Sequence, residues 1–161
     1  MARSGSTPRG WLLAMAVACI AAVIVALVSQ HVFDMQPCPW CALQRLIFLV
    51  VALLCVVGAV AGARAARKTL AAGVLLFSAL GAAAAVYQHV VAAKSTSCNL
   101  TLADKILNAM HAGVAAPWLF EVRASCADAA VSILGVPYEY WSLGLFVLLA
   151  IAAMRLLAQR G

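Results

Sequence analysis

The chain has 161 residues, of which 66% are hydrophobic and only 10% charged, with a mean hydropathy of +1.05. A soluble domain of this size needs far more polar surface, so composition alone excludes that class. Eleven basic residues stand against five acidic ones, and their placement along the chain accounts for that surplus without any nucleic-acid partner.

Taken in chain order, the first apolar run covers residues 11–30 and carries no charge. About 20 apolar residues suffice for a helix to cross the ~30 Å hydrocarbon core of a bilayer. Arg3 and Arg9 precede the run, as in a signal peptide, but the apolar core is too long and no small-x-small cleavage site follows. A retained transmembrane helix is expected. A short stretch, residues 31–41, ends in PCPWC, from Pro37 to Cys41. The second run, residues 42–62, holds one charge, Arg45, and a basic turn leads to the third, residues 69–93, which holds no acid, lysine or arginine. A long segment, residues 94–141, follows. In it Thr101 and Asp104 form a capping pair that opens a short helix. Leu102, Ile106, Met110 and Val114 would give that helix an apolar stripe, suited to the membrane surface or to the outer end of a bundle. A second short helix is expected from Cys126 to Gly135, with Pro137 beyond it. The fourth run, residues 142–158, contains only Arg155. These runs are too long and too rich in Ala, Leu and Val for barrel strands, and helices are the remaining way to satisfy the backbone in lipid. The predicted fold is an all-α membrane protein: one domain over residues 1–161, a four-transmembrane-helix bundle with two loops, the second long and partly helical.

Four spans place both termini on one side with the turn at residues 63–68. That side carries Arg3, Arg9, Arg64, Arg67, Lys68, Arg155 and Arg160, and no acid. The other carries Arg45, Lys94, Lys105 and Arg123 together with all five acids, Asp34, Asp104, Glu121, Asp128 and Glu139. The positive-inside rule makes the termini cytoplasmic and both loops external. Trp40, Tyr87, Tyr138, Tyr140 and Trp141 fall at the outer edge as an interfacial belt, and Trp11 at the inner one. Gly58 and Gly62, and Gly81 and Ala85, are small-xxx-small pairs that permit close helix approach.

This topology sorts the six cysteines. Cys19 and Cys55 fall inside helices and read as small hydrophobes. Cys38, Cys41, Cys98 and Cys126 lie outside, two in each loop. In a bacterial chain that side is the oxidising periplasm, where disulfides persist. The natural pairs are Cys38 with Cys41 and Cys98 with Cys126. A zinc site fits poorly, because the second pair is widely spaced and thiolates are ill protected there. Structural disulfides account well for Cys98 and Cys126. They account badly for Cys38 and Cys41, whose bridge closes too short a loop to constrain the unfolded chain.

Pro39 holds Cys38 extended and suits the first helical position, so Cys38 is the expected N-cap and Cys41 lies in the first turn of the second helix. There the free N–H groups and the helix dipole favour a negative sulfur. Arg45 follows Cys41 by four residues and shares its helix face. It either snorkels to the headgroups or stabilises a thiolate at Cys41 and charge on a reducible ligand beside it. His89, near the outer end of the third helix, reads equally well as an interfacial residue or as a neighbour of that site. Electrons leaving a membrane dithiol need an acceptor. With no dinucleotide, haem-attachment or P-loop motif in the sequence, a lipid-soluble quinone is the simplest one.

The residues that carry a resemblance are QHV at 30–32, PCPWCALQR at 37–45, YQH at 87–89, Cys98, Cys126 and YWSLGLF at 140–146. In this topology the chain resembles the disulfide bond formation protein B (DsbB) family of bacterial inner membranes, over nearly its whole length. The resemblance implies a protein-disulfide-forming thiol:quinone oxidoreductase that reoxidises DsbA, a soluble periplasmic dithiol oxidase, and passes the electrons to ubiquinone or menaquinone. It implies that Cys98 meets the partner's cysteine, Cys126 exchanges with Cys38, Cys41 contacts the quinone, and Arg45 holds it with His89 nearby. Thiol–disulfide exchange passes the bond from pair to pair through mixed disulfides. Two departures are Pro39-Trp40 inside the motif and Gln44, where some members carry an acid. The expected setting is the inner membrane, multi-pass, with the working cysteines periplasmic and the chain a monomer. Two other readings compete: a vitamin K epoxide reductase-like quinone enzyme, whose C-x-x-C lies in a later helix, and a non-catalytic scaffold with stapled loops.

Overall fold

The computed structural model describes residues 7–94 and 101–159, so Cys98, Arg3 and Arg160 lie outside the described residues. Four helices are long and apolar enough to cross a membrane. These are α1 (Pro8–Val32), α2 (Pro39–Val60), α3 (Arg64–Val90) and, after the long loop, α7 (Tyr138–Ala158). The protein is the expected all-α four-helix membrane bundle. Each span starts earlier than its apolar run, because a helix in lipid continues into interfacial residues that hydropathy does not count. Local chemistry sets the starts of α1 and α2. Thr7 caps α1 through its Oγ1, which accepts from the Gly10 N–H at 3.2 Å, and Pro8 takes the first turn. Cys38 is the N-cap of α2, with Pro39 behind it.

Helix α2 packs on α1 and α3, and α3 packs on α7, whereas α1 and α7 touch only sparsely. The ring of helices is therefore loose on one side. Among the glycine pairs, Gly81 is the site of closest approach. A Cβ there would overlap the Phe146 ring of α7, which stacks on Phe48 of α2 with centroids 4.1 Å apart. Gly58 lies against Leu12, while Gly62 faces open space and has no packing role. Cys19 and Cys55 are fully buried in the apolar core, as expected of small hydrophobes.

In the long loop, α4 (Leu102–Ala109) opens with the expected capping box: the Thr101 N–H donates to Asp104 Oδ2 at 2.8 Å and the Asp104 N–H to Thr101 Oγ1 at 3.3 Å. Its Ala103 and Leu107 are buried, and the helix packs on α2. Leu102 and Met110 stay exposed on the flank. Two single turns follow, α5 (Ala112–Ala115) and α6 (Pro117–Phe120). The helix expected from Cys126 to Gly135 does not form. One turn starts at Ser125, whose Oγ accepts from the Asp128 N–H. The chain then becomes an antiparallel hairpin, β1 (Ser132–Ile133) with β2 (Val136–Pro137). The reason is the turn. Leu134 and Gly135 both have positive φ, 54° and 78°, the two-residue geometry that matches strand twist, and β-branched Val131, Ile133 and Val136 flank it. Gly135 is a hairpin residue rather than a helix stop.

Candidate functional site

The start of α2 builds the sulfur centre. Cys38 Sγ accepts from the Cys41 N–H at 3.3 Å, as an N-cap should, and lies 2.9 Å from Cys41 Sγ. Cys126 completes a row. Its thiol lies close enough to Cys38 and to the Trp40 backbone N–H for each to shift its titration. All three are unbridged, and Cys38 and Cys126 are buried. The hydrogen bond with Cys126, then that with Cys41, then burial push the Cys38 thiol well above the ordinary range. The same bond, helped by the Trp40 N–H, lowers Cys126 against the opposing effect of burial. Cys126 is thus the more acidic sulfur of the two.

Backbone stitches bring Cys126 there. The Arg123 N–H donates to the Pro37 carbonyl at 3.1 Å, joining the long loop to the residue before Cys38. His31 Nε2 lies 3.3 Å from the Trp118 carbonyl oxygen at the end of α1. Arg45 supplies a third tie from inside. Only 6% of it is exposed, and its guanidinium donates to Gln30 Oε1 at 2.6 Å, the Leu119 carbonyl at 3.0 Å and the Ala26 carbonyl at 3.3 Å. Arg45 therefore does not snorkel. No carboxylate pairs with it among the described residues. A guanidinium stays charged in proteins, and a cation set inside a bundle against neutral acceptors marks a functional site by default.

Beside these groups, where α1 and α7 part, lies a cavity of about 310 Å³. Cys41, Gln44, Arg45, Gln88 and Tyr138 form its polar end. Ala22, Val25, Phe48, Leu145 and the hairpin residues Ile133 and Leu134 form apolar wall. His89 does not line it. Its Nδ1 lies 2.7 Å from Glu139 Oε1 and its ring packs on Tyr140 at 4.7 Å, at the adjoining α3–α7 seam. The neighbouring Gln88 faces the site instead: its Nε2 donates to Cys41 Sγ at 3.3 Å, and its Oε1 accepts from Gln44 Nε2 at 2.7 Å. Gln30, Gln44, Gln88 and Tyr138 were missed as site residues in the sequence. The available signal was their polarity within or beside apolar spans, where a buried amide is costly without a partner. Cys98, the fourth of the expected working cysteines, lies outside the described residues.

A four-helix membrane bundle with three unbridged cysteines gathered at the edge of an apolar cavity defines a membrane thiol–disulfide protein. The family model of disulfide bond formation protein DsbB matches residues 8–156. The chain is 31% identical over 140 residues to disulfide bond formation protein B of Herminiimonas arsenicoxydans, covering 87% of this chain and 89% of that one. It is 33% identical over 145 residues to disulfide bond formation protein B 1 of Pseudomonas syringae pv. syringae, covering 88% and 84%. It is 30% identical over 155 residues to the Burkholderia pseudomallei strain K96243 protein, covering 95% and 92%. The chain belongs to the DsbB family, and with it to the disulfide-forming oxidoreductases of the membrane.

Proposed function

We propose that this protein is a thiol:quinone oxidoreductase of the bacterial inner membrane that reoxidises a soluble periplasmic dithiol oxidase of the DsbA kind. The observation that carries the reading is the continuous path Cys126, Cys38, Cys41, ending at a cavity whose polar end holds Arg45. The termini are cytoplasmic in this reading and the working cysteines periplasmic, an orientation that the charge distribution supports.

The residues fit a quinone. The cavity has apolar walls for a ring and isoprenoid tail and a polar end for ring oxygens. The charged Arg45 there has only neutral acceptors, and the buried Gln30 Nε2 beside it finds no partner among the described residues. Arg45, Gln44, Gln88 and Tyr138 would hold the ring against Cys41. A bound ubiquinone or menaquinone supplies a sink for two electrons and two protons.

The chain's own steps are exchanges. The partner's two thiols become a disulfide as the Cys98–Cys126 bond opens. The Cys126 thiolate attacks Cys38 of a Cys38–Cys41 disulfide, and Cys41 departs as thiolate. Cys98 then attacks Cys126, restoring the loop disulfide and leaving the electron pair on Cys38 and Cys41 at the cavity mouth. His89 contributes by pairing with Glu139 in the first turn of α7, which carries Tyr138 into the cavity wall. The deciding experiment is quinone reduction by the purified protein with a reduced DsbA-type donor. Wild type should turn over, Cys41→Ser should not, and absence of reduction by folded wild type with both quinones would sink the reading.

A further inference from the structure

Among the described residues, Gln88 is the donor that reaches Cys41 from outside the C-x-x-C motif. Its Nε2 stands 3.3 Å from Cys41 Sγ. Arg45, the nearby charge, spends its hydrogen bonds on Gln30, Leu119 and Ala26 rather than on the sulfur. Gln88 is 5% exposed and Gln44 4%, so neither amide is free to turn toward water. A carboxamide has a donor end and an acceptor end. Gln44 Nε2 occupies the acceptor end at 2.7 Å, which leaves Gln88 presenting its NH2 to Cys41. Gln44 sits three residues after Cys41 on the same helix, so one stretch of α2 supplies both the sulfur and the group that aims its donor.

The geometry points to Gln88 as a catalytic residue that stabilises the departing Cys41 thiolate, with Gln44 as the positioning residue that sets its polarity. The inference rests on the exchange reading above. When the Cys126 thiolate attacks Cys38, a Cys126–Cys38 bond forms and the Cys38–Cys41 bond breaks. Its electron pair stays on Cys41, and no proton is needed for the step. A leaving thiolate at the edge of an apolar cavity is costly unless a hydrogen bond meets it, and leaving-group stability sets the exchange rate. An amide provides that bond without titrating, so the donation is the same at every pH at which the enzyme works.

The test uses the full-length protein in detergent, reduced with dithiothreitol and with no quinone added, in a Cys38→Ser, Cys98→Ser, Cys126→Ser background. Serine at 38 keeps a side chain able to cap α2. The readout is the rate of Cys41 alkylation by iodoacetamide across pH, localised by peptide mass spectrometry. Gln88→Met should slow alkylation at neutral pH about tenfold, the scale of one hydrogen bond to a charged group. Gln88→Glu should slow it further, because a carboxylate then faces the sulfur. Gln44→Glu should act in the same direction and more weakly, since it draws the Gln88 NH2 to itself and turns the Gln88 carbonyl toward Cys41. Rates within about twofold of the parent for both Gln88 variants, or faster alkylation from loosened packing, would overturn the assignment. If the Gln88 variants do not fold, Gln44→Glu decides it alone by the same criterion. Failure of wild type to reduce quinone would remove the oxidoreductase reading and leave this result standing.

Discussion

Two apolar hollows flank α2, and the larger is the less informative. The groove between α2, α3 and α4 has a volume of about 730 Å³ and is lined by Leu43, Leu46, Ile47, Phe77, Leu80 and Met110, with Trp40 and Tyr87 toward the outer edge. The cavity beside Cys41 has less than half that volume, about 310 Å³, but holds a cysteine, an arginine, two glutamines and a tyrosine. In water the larger apolar hollow would be the natural binding site. In a bilayer, lipid tails are as apolar as leucine, so an apolar groove gains nothing by being filled. Polar side chains are what cost free energy there, and their convergence marks the site.

That contrast breaks most sharply at the sulfur. Cys41→Ser should lower quinone reduction at least about a thousandfold, because a serine hydroxyl is neither thiolate nor disulfide former. Leu46→Ala in the groove should leave turnover within about twofold, read by quinone absorbance with a reduced dithiol donor. A groove variant as damaging as Cys41→Ser would place the chemistry on the wrong side of α2. Arg45→Met comes next. It keeps the stem and removes the charge, and it should raise the quinone KM by about ten- to a hundredfold, the range of a directed charged hydrogen bond. Its loss also frees the Leu119 carbonyl, so exchange between Cys126 and Cys38 should slow in the same variant.

The sulfur row gives a pH signature that no feature of the groove shares. Cys126 is lowered by its bond with Cys38 and by the Trp40 N–H, and Cys38 is raised by the same partnership. In the reduced protein, Cys126 should be the faster-alkylating of the two at neutral pH. Its rate should level off below the ordinary thiol value of about 8.5, while that of Cys38 keeps rising into the alkaline range. Cys38→Ala removes the donor, so Cys126 should titrate higher and react several-fold more slowly at pH 7. An unchanged Cys126 profile in Cys38→Ala would show that the two sulfurs do not share a proton in solution.

How much of this was legible follows from which residues carry strong local signals. The spans were legible because a bilayer imposes length and apolarity directly. PCPWC and Arg45 were legible because helix-start chemistry and i, i+4 spacing are local. The Thr101–Asp104 box was legible for the same reason. The hairpin at residues 132–137 was not, because Gly135 serves equally as a helix stop or as the second residue of a two-residue turn, and Leu134 with positive φ is a rare partner. Helix α3 shows the limit most clearly. The sequence singled out His89 as the titratable group, yet adjacent residues on a helix point about 100° apart. Only tertiary packing decides that Gln88 meets Cys41 while His89 meets Glu139.

The smallest expected effect falls on that pair. His89 touches neither the sulfurs nor the cavity wall; it reaches the site only through Glu139 at the start of α7. Glu139 is 6% exposed, so removing its partner leaves a buried carboxylate with less support. His89→Gln keeps a donor near that carboxylate and should leave the quinone KM within about twofold. His89→Ala should raise KM about three- to fivefold, through a loosened Tyr138, with alkylation of Cys41 unchanged. Gln88→Met predicts the opposite split, with slow Cys41 alkylation as its primary effect. If His89→Ala instead slows Cys41 chemistry as much as Gln88→Met does, the two neighbouring residues act as one unit. The division between a residue at the sulfur and a residue at the seam would then be wrong.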